Sequence, residues 1–332
     1  MSVSILKRNL LKAACSVGLT IACGGVAVAA DADAAKWPDR PLRFVVPYAP
    51  GGPLDSSARL LADKVSGPLG QTVIVENKGG AAGAIGMGDL ARSKPDGYTF
   101  ALITDSIPIQ PLLNSSLAWD MGKFEAVAKI ATSPEVLVVN PNVPVDSVKD
   151  FVEYARSQPG KLSYAASSTG SVHHLAGEVF KQQTNIDMVH IPYKGGGQSI
   201  VDMASGRVEA GFIGLAPILS QLQSGQLKAL ALTGAERNVL APDVPTFQEA
   251  GYGDFDVELW IGLVGLKDMP DEVVASMRSA IDQIVSSESV QKNLREIGFE
   301  PVMQDSLDFA AWLSEQQQGW DNVIEQIGMR QE

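Results

Sequence analysis

Cysteine is confined to Cys15 and Cys23 in a chain of 332 residues. Both fall in an N-terminal segment where Lys7, Arg8 and Lys12 precede an apolar stretch from Ala13 to Ala30 that ends in small residues. That is the pattern of a secretory signal peptide over residues 1–30. Cleavage near Ala29 or Ala30 leaves no thiol, which excludes disulfides and cysteine chemistry from the mature chain. A lipid-modified Cys23 is the competing reading; Thr20, three positions before it where Leu is usual, argues against it. Long hydrophobic runs are missing too. The leader's own is broken by Ser16, Gly18, Thr20, Gly24 and Gly25, and no later segment has the roughly 20 apolar residues of a membrane span. An exported, periplasmic protein free of a permanent anchor is expected.

Positive charge is scarce: 26 Lys and Arg stand against 38 Asp and Glu, and removing the leader's three basic residues takes the net charge from −12 to −15. Such a field repels nucleic acid, which is excluded as an expected partner. An acidic protein that binds an anion has to do so with local dipoles in a shaped pocket. Catalytic templates are also absent: there is no G-x-S-x-G elbow, no H-E-x-x-H and no Walker A motif. Of three histidines, His173 and His174 are adjacent and point to different helical faces, while His190 lies in a strand, so they form no metal site by themselves. No metal, no cofactor and no catalytic residue is expected.

What is present is alternation. Short apolar runs bounded by turn residues predict strands at Leu42 to Val46, Val73 to Glu76, Thr99 to Thr104, Val136 to Asn140, Leu162 to Ala166, Met188 to Ile191, Ala210 to Ile213 and Ala229 to Leu232. Between them, sets such as Ala58, Leu61, Ala62, Val65 and Leu69 recur at helical spacing, and the chain finishes with helices near Asp271 to Ser286 and Ser306 to Ile327. The class is α/β, with mainly parallel sheets and helical crossovers. About 300 mature residues exceed a single core. Pro and Gly punctuation at Ser133-Pro134, Asn140 to Pro144 and Thr233-Gly234 divides them into one lobe of residues 36–135 and 235–332 and an inserted lobe of 136–234, hinged by two crossings.

Three strand-to-helix junctions stand out. After the first strand, Pro47-Tyr48-Ala49-Pro50-Gly51-Gly52-Pro53-Leu54-Asp55 must turn sharply and expose N–H groups at a helix start, which suits a carboxylate or phosphate. Ser167-Ser168-Thr169-Gly170-Ser171 gathers hydroxyls before a second helix, with Ser171 a natural N-cap and His174 in the first turn as cap partner or pocket donor. Pro192-Tyr193-Lys194-Gly195 opens a third. Loops of this kind converge beyond the carboxyl ends of strands, where open α/β sheets bind ligands. Gly86, Gly88 and Ala91 spell a literal G-x-G-x-x-A, but about nine residues separate it from its strand, so it reads as a helix packed closely on the sheet rather than a dinucleotide fingerprint. Arg43, Arg59, Lys78 and Lys194 could meet an anion, although solvation or packing accounts for each; Tyr48, Tyr193 and Trp260 could wall a pocket.

Trp37-Pro38, Arg40-Pro41, the Pro47 to Asp55 turn, Val75-Glu76-Asn77, Pro95-Asp96-Gly97-Tyr98-Thr99, His174 to Glu178, Pro192 to Gly195 and Pro242-Asp243-Val244-Pro245-Thr246, in that order, resemble the tripartite tricarboxylate transporter substrate-binding proteins, or Bug receptors. The resemblance implies a two-lobed, periplasmic-binding-protein-like (type II) fold and a monomer that closes on a small carboxylate and delivers it to two integral-membrane transporter subunits. It also implies a ligand held by loop amides, hydroxyls and water, here at Tyr48, Ala49, Pro50, Gly51, Gly52 and Asp55, with Ser167, Ser168, Thr169 and Ser171 opposite, Tyr193 beside them, and Ser106 and His174 as further contacts. Departures from the commoner pattern are Pro53-Leu54 after the two glycines, Lys78-Gly79 where Arg-Pro is frequent, and Asp105 where a small or polar residue is usual. The ligand stays open among citrate-like, aliphatic, aromatic and amino acids. Rival readings are an exported enzyme using Asp55, His174 or Asp105 as acid and base, and a sensor that engages a membrane signalling partner.

Overall fold

The computed structural model describes residues 37–330 apart from Lys194, Asp254, Asp256 and Asp305. The expected leader with Cys15 and Cys23 therefore lies outside the described residues, as does Lys194. In chain order the elements are β1 (Leu42–Val46), α1 (Pro53–Leu69), β2 (Val73–Asn77), α2 (Ala84–Ala91), β3 (Thr99–Thr104), α3 (Ser106–Leu113), β4 (Phe124–Val139), α4 (Val148–Ser157), β5 (Leu162–Ala166), α5 (Val172–Thr184), β6 (Met188–Pro192), α6 (Gly196–Ala204), β7 (Ala210–Gly214), α7 (Leu219–Gln223), β8 (Lys228–Leu232), β9 (Glu258–Leu266), α8 (Asp271–Val285), α9 (Glu288–Glu296), β10 (Glu300–Gln304) and α10 (Ser306–Gln326).

The strands form one mixed sheet in the order β2-β1-β3-β9-β4-β7-β5-β6, with β8 and β10 also on β4. The expected parallel pairing with helical crossovers fills its two outer parts, where β1 lies between β2 and β3, and β5 between β6 and β7. The middle is antiparallel, because the 16-residue β4 pairs with β9 over Phe124 to Pro134 and then with β7 over Glu135 to Val139. One strand thus passes from one half of the sheet to the other between Pro134 and Glu135.

Period-two alternation builds both halves. Leu42, Phe44, Val46, Phe100 and Leu102 face one cluster with α1 and α8, whereas Val45, Ala101 and Ile103 face another with α2 and α10. On β4, Leu137 and Val139 join a cluster with Phe180 and Phe212, and Val136 and Val138 join one with Ile200 and Ile213. Each large side chain buried in this way contributes roughly 1.5–3 kcal/mol. Phe247, Phe255 and Val257, although they follow residue 235, pack with Phe180 and Phe212. Helix α10 places Phe309 and Leu313 in the first half's core and Trp320 and Ile324 in the second's, so it straps the two together. The buried cation of Lys129 on β4 is compensated by Glu258 of β9 and by the Trp312 ring, 3.7 Å away.

Candidate functional site

The first junction is built around the start of α1. Gly52 occupies the N-cap without any side-chain cap bond, and Pro53 takes the first helical position. The N–H groups of Leu54 and Asp55 therefore have no acceptor within the helix, at the positive end of its dipole. The Asp55 carboxylate is itself occupied: it accepts from the Gly51 amide at 2.9 Å, from Asn77 Nδ2 at 3.0 Å and from Arg59 Nε at 3.1 Å. The Gly51 amide, against the opposing effect of burial and with help from Arg59 and Asn77, holds this carboxyl below the usual range. Asp55 and Gly51 thus brace one another, and Asn77 also reaches the Tyr48 carbonyl at 3.3 Å. Pro50 is exposed at the tip of the same turn.

Five of the expected site residues, Tyr48, Ala49, Gly52, Asp55 and Ser106, line one cavity of about 250 Å³. Leu54, Thr104, Ile261 and Phe299 complete its wall. The hydroxyls of Tyr48 and Thr104 are 2.9 Å apart. No sequence signal ties Ile261 or Phe299 to this turn, because both arrive from far along the chain through β9 and the approach to β10. The cations near the loops are engaged elsewhere. Arg43 bonds Asp89 at 2.7 Å and Glu76 at 3.1 Å, Arg59 bonds Asp55, and Lys78 sits 3.6 Å from Glu76.

At the second junction, Ser171 caps α5 by accepting the His174 amide, and its hydroxyl donates to the Ser168 carbonyl at 2.8 Å. The His174 ring accepts the Gly170 amide at 3.2 Å and stacks on His190 at 3.8 Å, which braces the loop. Burial, and then repulsion from His190, lower its pKa to about 4, keeping it neutral. Ser168 and Thr169 are exposed, while Ser167 lies 2.9 Å from His173 Nδ1. Tyr193 commits its hydroxyl to Asp202 on α6 and its amide to the Ala166 carbonyl.

Two buried carboxylates lie between these junctions. Asp105, between Thr104 and Ser106, accepts the Ser106 hydroxyl at 3.0 Å, and burial raises its pKa to about 7. Glu135 has no exposed surface. Its amide donates to Thr233 Oγ1 at 2.8 Å, yet neither carboxylate oxygen has a hydrogen-bond partner. His173 Nε2 stands 3.9 Å from Oε1, too far for one. Burial, and secondarily the charge of Asp105, push the Glu135 carboxyl well above its ordinary value. Leu113 at the end of α3 packs against Gly170, which brings the helix that follows Asp105 onto the serine-rich loop. Glu135 and His173 were not among the expected contacts. The one available signal was an acid immediately before the apolar run Val136 to Val139. Among the described residues, no group of His, Cys, Asp and Glu is placed to hold a metal ion.

A sheet covered by helices on both faces, crossed by one shared strand and carrying polar loop tips at strand ends, is the architecture of periplasmic binding proteins, and comparison bears this out. The model of the family described as "Tripartite tricarboxylate transporter family receptor" matches residues 57–329. BugT of Bordetella pertussis is 31% identical over 97% of this chain and 99% of its own length. Rpa4515 of R. palustris, solved with adipate, is 33% identical with a TM-score of 0.76, covering 88% of this chain and 98% of that one. MatC from Rhodopseudomonas palustris, solved with bound malate, is 27% identical with a TM-score of 0.73 over 86% and 99%. The chain belongs to the tripartite tricarboxylate transporter receptor family. No helix among the described residues is long and apolar enough to cross a membrane.

Proposed function

We propose that this chain is a periplasmic receptor that captures a small organic carboxylate between its two halves and hands it to the membrane subunits of a tripartite transporter. The observation that carries this reading is the cavity beneath the uncapped start of α1. Its wall supplies two amides, the helix dipole and the one proton of the Tyr48–Thr104 hydroxyl pair that is not used between them, while the nearby arginines and Lys78 are bound to carboxylates of the protein. A ligand carboxylate placed there exchanges its hydration for oriented donors that cost nothing to reorganise. Closure about β4 brings the Ser167 to Ser171 loop over the ligand, and the closed state is favoured by the difference between its affinity and that of the open state. Relatives that hold adipate and malate support the chemical class.

The test is a thermal-shift and calorimetric screen of the purified mature protein against carboxylates. A ligand present at 100 times its Kd is expected to stabilise the fold by about 2.7 kcal/mol. Gly52→Val supplies the site-specific control. A Cβ at Gly52 would meet only the Ala49 carbonyl oxygen, at 3.9 Å, so the fold accommodates the change, while the new methyl groups stand at the cavity wall. At least about a tenfold loss of affinity, equivalent to 1.4 kcal/mol, is expected, with no more than about 1 kcal/mol of stability lost at the cap. Unchanged affinity in this variant would remove the cavity from the binding site.

A further inference from the structure

Among the described residues, Glu135 is the one buried carboxylate near the junctions whose oxygens have no hydrogen bond. It occupies the position on β4 where the strand exchanges partners: Pro134 still pairs with Glu258 of β9, whereas Glu135 pairs with Gly214 of β7. Both halves therefore meet at its place on the strand. Buried polar atoms are satisfied in the great majority of cases, and each exception calls for a partner absent from the chain itself. Its surroundings narrow what that partner can be. Asp105 is close enough for its charge to act on Glu135. His173 is a weak counter-ion, because burial lowers its pKa to about 4 and it is neutral at physiological pH. The Thr233 hydroxyl oxygen accepts the Glu135 amide and makes no bond to the Glu135 carboxylate. Arg59, Arg43 and Lys78, the described cations near the first junction, are taken by Asp55, Asp89 and Glu76.

We infer that Glu135 receives a protonated amine of the ligand, so that the cargo is a carboxylate that also carries an ammonium group, and not a dicarboxylate. This rests on the carboxylate-receptor reading and narrows it. The ligand carboxylate takes the amides at the start of α1, and its ammonium group lies toward the Asp105 and Glu135 pair. A dicarboxylate in the same place offers no donor to the orphaned oxygens and keeps the two buried acids in the neutral form that burial favours, with no described cation to offset its own second charge. An ammonium group supplies N–H donors for both orphaned oxygens and, as a cation, favours the ionised form of Glu135. Glu135 is on this account a specificity residue, since it touches the part of the ligand that distinguishes one carboxylate from another.

Three matched sets test the inference on the mature protein and on Glu135→Gln: succinate against 4-aminobutyrate and aspartate, glutarate against 5-aminopentanoate and glutamate, and terephthalate against 4-(aminomethyl)benzoate. In at least one set an amine-bearing member is expected to bind tenfold or more tightly than its dicarboxylate. Glu135→Gln is expected to reduce that preference at least tenfold while melting no lower than the parent, because it removes an unpartnered acid and keeps its shape. Dicarboxylates binding as tightly as their amines, or an amine preference untouched by Glu135→Gln, would overturn the inference and leave the carboxylate receptor standing. Binding of neither class in any set would overturn both readings.

Discussion

Gly86→Val is expected to cost about 3 kcal/mol of stability and to abolish the response to ligand. A Cβ at this position on α2 would stand 2.7 Å from Pro47 Cα, 2.8 Å from Pro47 Cβ and 2.9 Å from the Lys78 carbonyl oxygen. Two of these atoms belong to backbone that cannot rotate aside. Nor can α2 retreat, because Met87 and Leu90 are fully buried in the cluster with Val45, Ala101 and Ile103. The strain must move the turn that carries Tyr48 and Ala49, which are part of the cavity wall. For a domain of this size the melting temperature should fall by roughly 5 °C. The neighbouring Gly88→Ala is the contrast. Its Cβ would meet the flexible tip of Arg92 at 3.3 Å and Trp119 at 3.9 Å, and alanine favours the helix by about 1 kcal/mol over glycine. Thermal melts of both variants, with and without a bound carboxylate, check the pair. A Gly86→Val protein melting with the parent would show that α2 and the turn are not in the register described. The literal G-x-G-x-x-A of this segment is thus a packing device, as its distance from the preceding strand had suggested.

The strands at Leu42–Val46, Thr99–Thr104 and Leu162–Ala166 were legible in the sequence because each is a short, mostly apolar run between turn residues. Only the last part of β4 could be read that way. Its first part contains Glu125, Lys129, Thr132 and Pro134, and Lys129 is tolerable inside a sheet only through Glu258 and Trp312, well over 100 residues distant. Strand β9 was hidden by Gly262 and Gly265, which look like loop residues but make room for Phe309 and Met269. Pro301 disguised β10 in the same way. At the site, local chemistry announced the uncapped turn before α1 and the Ser171 cap of α5. It could not announce that Asp55 is occupied by its own neighbours, since Asn77 comes from another strand. Nor could it announce Glu135, whose significance lies in what fails to reach it across the fold.

Asp105→Asn should raise the stability of the ligand-free protein, relative to the parent, by about 4 kcal/mol more at pH 8 than at pH 4. In the unfolded chain this carboxyl ionises near its ordinary value of 3.8, whereas in the fold burial raises it to about 7. Between those values the unfolded state has lost a proton that the folded state keeps. Stability therefore falls by about 1.4 kcal/mol for each pH unit crossed and stays at its reduced level above pH 7. The full penalty is roughly 4 kcal/mol; weakened bonds from the Ser106 hydroxyl and the Trp260 amide shift the difference between variant and parent by the same amount at every pH and leave that span unchanged. Glu135 acts in the same sense, and losing the Asp105 charge relieves it too. The histidines act in the opposite sense. His173 and His174, each lowered to about 4, stay neutral in the fold while the unfolded chain protonates them below pH 6.5, so they erode stability toward acid. The parent's own pH profile mixes these two limbs, but the histidine limb is common to parent and variant and cancels in their difference. Paired denaturant titrations at pH 4, 6 and 8 should give a gap that opens as pH rises. A gap that is constant across the series, or widest at pH 4, would mean that Asp105 is ionised in the fold throughout and that the polar seam between the two junctions is wetter than its burial indicates.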